Sequence, residues 1–185
     1  FFHEVGDAAA VEAAFATAPH VVHHRIVINR ITANSMEPRG CYAEWNDGKV
    51  HLANNGQGVW VHKGNLKRVF GLDDDHVQVT NPDTGGGFGM KAAAYPEYFS
   101  VAQAARALGR PVRWQSERGE AFLADNHARD NVSAVELALD ESGRFLGLRV
   151  ETTANLGAYI AAFGNHSPTN NLGGLAGTYT TPAIH

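Results

Sequence analysis

The sequence predicts an α+β fold, a mixed sheet with packed helices, on three observations. Two strand-like runs, 41–45 and 49–54, flank Asn46-Asp47-Gly48, which is hairpin chemistry. Residues 132–139 and 145–153 alternate apolar with polar around Asp140-Glu141-Ser142-Gly143, a second hairpin. Helical runs carrying their own stop signals lie among these strands, without the strict strand–helix alternation of a parallel sheet.

Each element follows from local chemistry. Asp7 is placed to cap an Ala-rich helix reaching about Ala18, with Val11, Ala14, Phe15 and Ala18 on one face. Runs 20–29 and 30–34 are rich in Val and Ile and read as extended. Residues 57–70 read as a helix closed by Gly71, with Val59, His62, Leu66, Val69 and Phe70 inward. A short strand at 76–80 is broken by Asn81-Pro82-Asp83. Pro96 suits the first turn of a helix that runs to Leu108 and stops at Gly109. Residues 111–115 look like a strand and 118–124 like a short helix, while 164–177, rich in Gly, Asn and Pro, read as irregular. No internal repeat or linker divides the chain.

Bulk properties exclude several function classes. Of 185 residues, 44% are hydrophobic and 18% charged, the balance of a soluble globular protein. A net charge of −4, with no basic patch, argues against nucleic-acid binding. The single cysteine, Cys41, excludes an internal disulfide, a cysteine-rich zinc site and an iron–sulfur cluster held by this chain alone. No apolar run approaches the roughly 18 residues of a membrane span, and no signal peptide opens the chain. The chain begins Phe1-Phe2 and stops at Ile184-His185 with no closing element, so both ends read as cuts in a longer natural polypeptide.

The densest chemical signal is Gly85-Gly86-Gly87-Phe88-Gly89, between a strand and a helix. Bare backbone lets a ligand or another chain segment come within contact distance, and successive amides there can bind an anion or an oxo group. A tight turn with a packed Phe is the plain alternative. Gly89-Met90-Lys91-Ala92 lacks the Gly-Lys-Ser/Thr of a phosphate-binding P-loop, and Met90 stands where a dinucleotide fingerprint needs its last glycine.

Pro82-Asp83-Thr84-Gly85-Gly86-Gly87-Phe88-Gly89-Met90-Lys91 resembles the cofactor loop of the molybdenum hydroxylases, the xanthine dehydrogenase and aldehyde oxidase family. Met36-Glu37-Pro38-Arg39-Gly40, Gln57, Arg110-Pro111-Val112-Arg113-Trp114, Glu117-Arg118 with Glu120, His127-Ala128-Arg129-Asp130 and Asn155-Leu156-Gly157-Ala158-Tyr159 follow in family order. The resemblance spans nearly the whole chain and is closest to large subunits like those of aerobic carbon monoxide dehydrogenases. The purine-oxidising branch carries a Glu after the loop Lys, where this chain has Ala92, which argues against a purine substrate.

The resemblance implies that residues 1–185 are part of one domain, the first molybdenum-cofactor-binding domain of a xanthine oxidase-type large subunit. It implies molybdenum with molybdopterin, the cytosine dinucleotide form included, and insertion of water-derived oxygen into a small substrate such as carbon monoxide, an aldehyde or a heterocycle. FAD and iron–sulfur clusters are expected on partners, an FAD-binding medium subunit and an iron–sulfur small subunit, in a dimer of heterotrimers. The implied location is cytoplasmic, extending through partners to the inner face of the cell membrane. Gln57 would hydrogen-bond the metal's oxo ligand, the backbone at Gly86, Gly87, Phe88 and Gly89 would approach the metal ligands and pterin, and Phe88 would wall the site. No residue of this chain is expected to ligate the metal. The family's general base and its substrate-specific loop lie beyond residue 185, so the isolated piece should not turn over. A cofactor-free homologue acting in assembly or interaction is the alternative from another class, and a nucleotide-binding domain built on the loop amides is a third.

Other conspicuous residues take plainer readings. His23 and His24 would face opposite sides of a strand, which argues against a metal site with His20. Glu37 is expected to pair with a cation such as Arg39, and Glu117, Arg118, Glu120 and Arg129 to form ion pairs that fix a short helix. Trp45, Trp60 and Trp114 are expected in cores or interfaces.

Overall fold

The computed structural model describes residues 1–158, 160–161, 164–170 and 174–185. Tyr159, which ends the motif begun by Asn155, and residues 171–173, inside the stretch expected to be irregular, lie outside the described residues. In chain order the elements are α1 (Ala8–Thr17), β1 (His20–Ile31), β2 (Gly40–Asn46), β3 (Lys49–Asn54), α2 (Trp60–Phe70), β4 (Val77–Thr80) and α3 (Pro96–Leu108). They continue with β5 (Val112–Gln115), α4 (Arg118–Ala124), β6 (Ala128–Leu139), β7 (Phe145–Ala154), α5 (His166–Thr169) and β8 (Ala183–Ile184). The class is α+β as expected, but strands form two four-stranded mixed sheets in two compact units. Residues 32–127 make one unit, and the flanking segments 1–31 and 128–185 make the other.

In the flanking unit the strand order is β1-β6-β7-β8, antiparallel except for the parallel β7–β8 pair. Asp7 caps α1 by accepting from the Ala10 amide at 2.9 Å, which satisfies one of the donors a helix start leaves open. Val11 is fully buried, and Gly147 in β7 lets Ala14 approach. β1 is one continuous strand where two extended runs were expected. Among the described residues it pairs with β6 only, and all its residues are exposed, with Val22 and Val27 at 53%. Asp140 holds the β6–β7 turn, its Oδ1 accepting from the amides of Ser142 and Arg144 at 2.8 and 2.9 Å. The short helix α5 lies in the stretch expected to be irregular. His23 Nδ1 lies 2.8 Å from Glu136 Oε1 on the neighbouring strand.

The 32–127 unit carries the sheet β4-β3-β2-β5, antiparallel except for β3–β4. Asp47 and Gly48 both have positive φ, 50° and 76°, as a two-residue primed turn requires. Pro96 opens α3 and Gly109 closes it in the left-handed conformation, as expected. Tyr98, Ala102 and Ala105 of α3 join Ala43, Val50, Leu52 and Leu66 in the core. α2 starts at Trp60, three residues later than the sequence suggested, because Gly58 at φ 94° cannot continue a right-handed helix. Gln57 is thereby left in the turn before α2. His62 and Leu66 are buried as expected, but Val69 faces solvent. Trp45 donates to the Ala102 carbonyl at 2.8 Å and Trp114 packs on the core, whereas Trp60 is exposed. Glu117 and Glu120 form a capping box on α4 rather than ion pairs with Arg118. Arg118 instead donates to Asn34 Oδ1, the Ser35 carbonyl and the Met36 carbonyl at 2.7 to 2.8 Å.

Candidate cofactor-binding site

The glycine loop and Gln57 lie together, within the 32–127 unit. The Gly89 amide donates to Gln57 Oε1 at 2.7 Å, and the Gln57 amide donates to the Lys91 carbonyl at 3.2 Å. A Cβ on residue 87 would stand 2.5 Å from Gln57 Cγ, so glycine there is what admits the glutamine. Only the place of a side chain at 87 is filled by Gln57; the Gly87 amide itself donates to no described residue. Phe88, at φ 54° and 76% exposed, folds its ring over Gly86. A one-turn 3₁₀ segment, Met90–Ala92, ends the loop, with the Met90 amide donating to the Gly87 carbonyl at 3.0 Å.

The donor inventory follows from these bonds. Because an N–H points at one end of the Gln57 carboxamide, that end must be the oxygen. The other end is an NH₂ group with no acceptor among the described residues. The amides of Gly86, Gly87 and Phe88 likewise donate to no described residue. Four neutral donors therefore cluster at one loop, a set suited to an oxo or phosphate acceptor and unsuited to binding a bare cation. No group of three or more His, Cys, Asp or Glu able to hold a metal ion occurs among the described residues. These donors fit a cofactor that brings its own metal and its own oxygens.

Beneath the loop, Glu37 Oε2 accepts from the Gly85 amide at 2.7 Å and from Lys91 Nζ at 3.0 Å. Its partner is therefore Lys91, not Arg39. Burial would raise the Glu37 pKa, but the Gly85 amide and the Lys91 ammonium outweigh it and hold the carboxyl below its ordinary range. Lys91 is wholly buried. Neither this pairing nor its reach across 54 positions carried a local signal; the only hints were Glu37 inside Met36-Glu37-Pro38-Arg39 and Lys91 at the loop's end. Asn55 clamps the same corner, donating to the Pro38 carbonyl at 2.8 Å and accepting from the Gly40 amide at 2.9 Å.

Deeper still, the fully buried Arg39 forks onto Glu97 with bonds of 3.1 and 3.2 Å and donates from Nε to Asp125. Its guanidinium lies 3.6 Å from the centre of the Tyr95 ring. The carboxylates raise the arginine pKa against the opposing effect of burial, so the group stays charged. His62 is buried with its Nε2 unpartnered among the described residues, and desolvation lowers its pKa, favouring the neutral ring. Cys41 lies in the core, where desolvation pushes its thiol pKa up to about 12. It is neither a ligand nor a nucleophile here.

Comparison with known proteins agrees with this chemistry. The whole chain, residues 1–185, matches the molybdopterin cofactor-binding domain family. It is 35% identical over 94% of its length to the 6-hydroxypseudooxynicotine dehydrogenase complex subunit gamma of Paenarthrobacter nicotinovorans, covering 22% of that protein. It is also 35% identical over 97% of its length to the carbon monoxide dehydrogenase large chain of Hydrogenophaga pseudoflava, covering 23% of it. The chain thus spans less than a quarter of these relatives. Among solved structures, reconstituted CO dehydrogenase from Oligotropha carboxidovorans superposes with a TM-score of 0.78 at 31% identity, over 81% of this chain and 19% of that one. Quinoline 2-oxidoreductase from Pseudomonas putida 86 gives 0.76 at 34% identity, over 83% and 20%. With a full-length family match and a donor cluster of the right chemistry, the chain belongs to the molybdopterin cofactor-binding domain family.

Proposed function

We propose that residues 1–185 are part of one cofactor-binding domain in the catalytic large subunit of a molybdenum hydroxylase, an enzyme that oxidises a small substrate with water-derived oxygen. The observation that carries this reading is the fixed orientation of Gln57, whose oxygen is held by the Gly89 amide while its NH₂ remains available. When bound, molybdenum with molybdopterin supplies the two-electron redox chemistry of the reaction.

The residues of this chain bind and orient. Gln57 would donate from Nε2 to an acceptor oxygen of the cofactor; as a neutral amide it does not compete to ligate a cation. The amides of Gly86, Gly87 and Phe88 would add donors at close range. Gly89 acts through Gln57, because its own N–H is already committed. The exposed Phe88 ring would cover the loop and exclude water, which strengthens the polar contacts beneath it.

Ala92, in place of a carboxylate, argues for a substrate other than a purine. The relatives' names span 6-hydroxypseudooxynicotine, carbon monoxide, quinoline and aldehyde, with a probable hypoxanthine oxidase at 26% identity, and carbon monoxide, an aldehyde or a heterocycle is the class we assign. An FAD-binding medium subunit and an iron–sulfur small subunit are the proposed partners, in a dimer of heterotrimers. The cytosine dinucleotide form of the pterin and a cytoplasmic location, including the inner face of the membrane, belong to the same proposal. Among the described residues no helix is long and apolar enough to cross a membrane.

The test is metal and pterin analysis of the full-length protein purified with its partners. Molybdenum and pterin in equal amounts are expected; a correctly assembled preparation lacking both overturns the reading in favour of a cofactor-free assembly module.

A further inference from the structure

We propose that Glu37 is a positioning residue for the cofactor loop, its single carboxylate oxygen tying the loop's entrance at Gly85 to its exit at Lys91. This rests on the function proposed above for the loop.

The loop leaves the sheet after Thr80 and returns at the Met90–Ala92 turn, and nothing in its own composition would hold five nearly bare residues in one conformation. Glu37 closes it from outside. Its Oε2 accepts from the Gly85 amide and from the Lys91 ammonium, and its own amide donates to the Gly85 carbonyl at 3.3 Å. The contact tolerates no side chain, since a Cβ on residue 85 would lie 2.5 Å from Glu37 Cβ.

From Lys91 the constraint passes to the donors. Lys91 accepts the Gln57 amide on its carbonyl and donates its own amide to the Gly87 carbonyl at 3.4 Å. Moving Lys91 therefore moves both Gln57 and the middle of the loop. The platform under Glu37 is itself pinned on both sides, by Arg118 at the Met36 carbonyl and by Asn55 at the Pro38 carbonyl. With its ammonium wholly buried and Glu37 its one ion-pair partner among the described residues, Lys91 cannot turn away to water without leaving the protein interior.

A plain structural ion pair predicts something different, and paired substitutions separate the two. Glu37→Leu with Lys91→Met removes both charges together, leaving no uncompensated buried ion but abolishing the Gly85 tie. Glu37→Gln with Lys91→Met removes the charges and keeps an acceptor for the Gly85 amide. Both are made in the full-length protein with its partners. Amide exchange of the 84–91 segment is read in cofactor-free protein, and molybdenum and pterin content in protein from loaded cells.

The Leu/Met pair is expected to melt within about 3 °C of wild type, yet to exchange about tenfold faster in the loop and retain roughly tenfold less cofactor. The Gln/Met pair is expected to restore at least about half of both. Wild-type exchange and content in the Leu/Met pair overturn the proposal, as does equal loss in both pairs. If the Leu/Met protein does not fold, Gly85→Ala decides instead, because it displaces Glu37 with every charge intact; unchanged loop exchange there also overturns it. Wild-type protein without molybdenum or pterin would sink the proposed function, while the exchange comparison would still judge the positioning role.

Discussion

Gln57 stands where a side chain on Gly87 would begin: its Cγ is 2.5 Å from the position a Cβ would take. The two residues form one surface, the glycine supplying a gap and the glutamine filling it.

Gly87→Val follows directly. A β-branched group cannot share that space, so Gln57 is expelled and its bond from Gly89 is lost. The expected outcome is full-length protein with little or no molybdenum, measured by metal analysis, and a melting temperature close to wild type because the site lies at the surface. Normal loading would detach the loop from cofactor binding.

Gln57→Ala tests the donor itself. Loss of one oriented donor at a reacting centre costs on the order of 100-fold in turnover. Stability should fall by no more than about 1 kcal/mol, the worth of one exposed hydrogen bond. Steady-state kinetics of the intact enzyme beside thermal melts check both halves. A wild-type rate would remove Gln57 from the site.

The Arg39 fork predicts an acid limit to stability. Burial would raise the Glu97 pKa, but the bonds from Arg39 outweigh it and hold the carboxyl below its ordinary value of 4.5. A group shifted this way stabilises the fold at pH above its unfolded pKa, and the contribution disappears as pH falls through the folded one. Melting temperature should hold above about pH 7, fall below about pH 6.5 as the unfolded chain protonates His62, which burial keeps neutral in the fold, and fall further below about pH 4 as Glu97 protonates. Glu97→Gln should start lower at neutral pH and decline less steeply. Arg39→Met, which leaves Asp125 buried without its cation, should cost about 3–5 kcal/mol in denaturant titrations.

Cys41 supplies a folding probe. With its pKa pushed up to about 12, roughly one thiol in ten thousand is ionised at pH 8, and the side chain is buried besides. A thiol reagent should leave it unlabelled in native protein and label it fully in denaturant. Rapid labelling of the native state would show that the sheet around it opens.

Local chemistry made much of the fold legible. α3 and α4 fall on the expected residues, because proline and glycine punctuate one and Glu117 with Glu120 box the start of the other. The two hairpins were visible in their turn residues. Contacts between distant positions were not. Arg39 reaches Asp125 across 86 residues, Glu37 meets Lys91 instead of its near neighbour Arg39, and β8 is two residues recruited by β7. Such pairings depend on where the chain returns, which no window of sequence encodes. At the site, the proximity of Gln57 to the loop followed from the family resemblance, whereas the reason for glycine at 87 became apparent only from its contact with Gln57.

The bare margin of β1 has a colloidal consequence. Along its outer edge the alternate peptide groups of this twelve-residue strand meet no strand among the described residues, and with Val22 and Val27 in solvent that edge is a template on which a second such rim can zip. Prepared alone and concentrated, molecules of this chain would stick side by side, so handling them calls for dilution or a capping strand before any measurement of ligand uptake means anything.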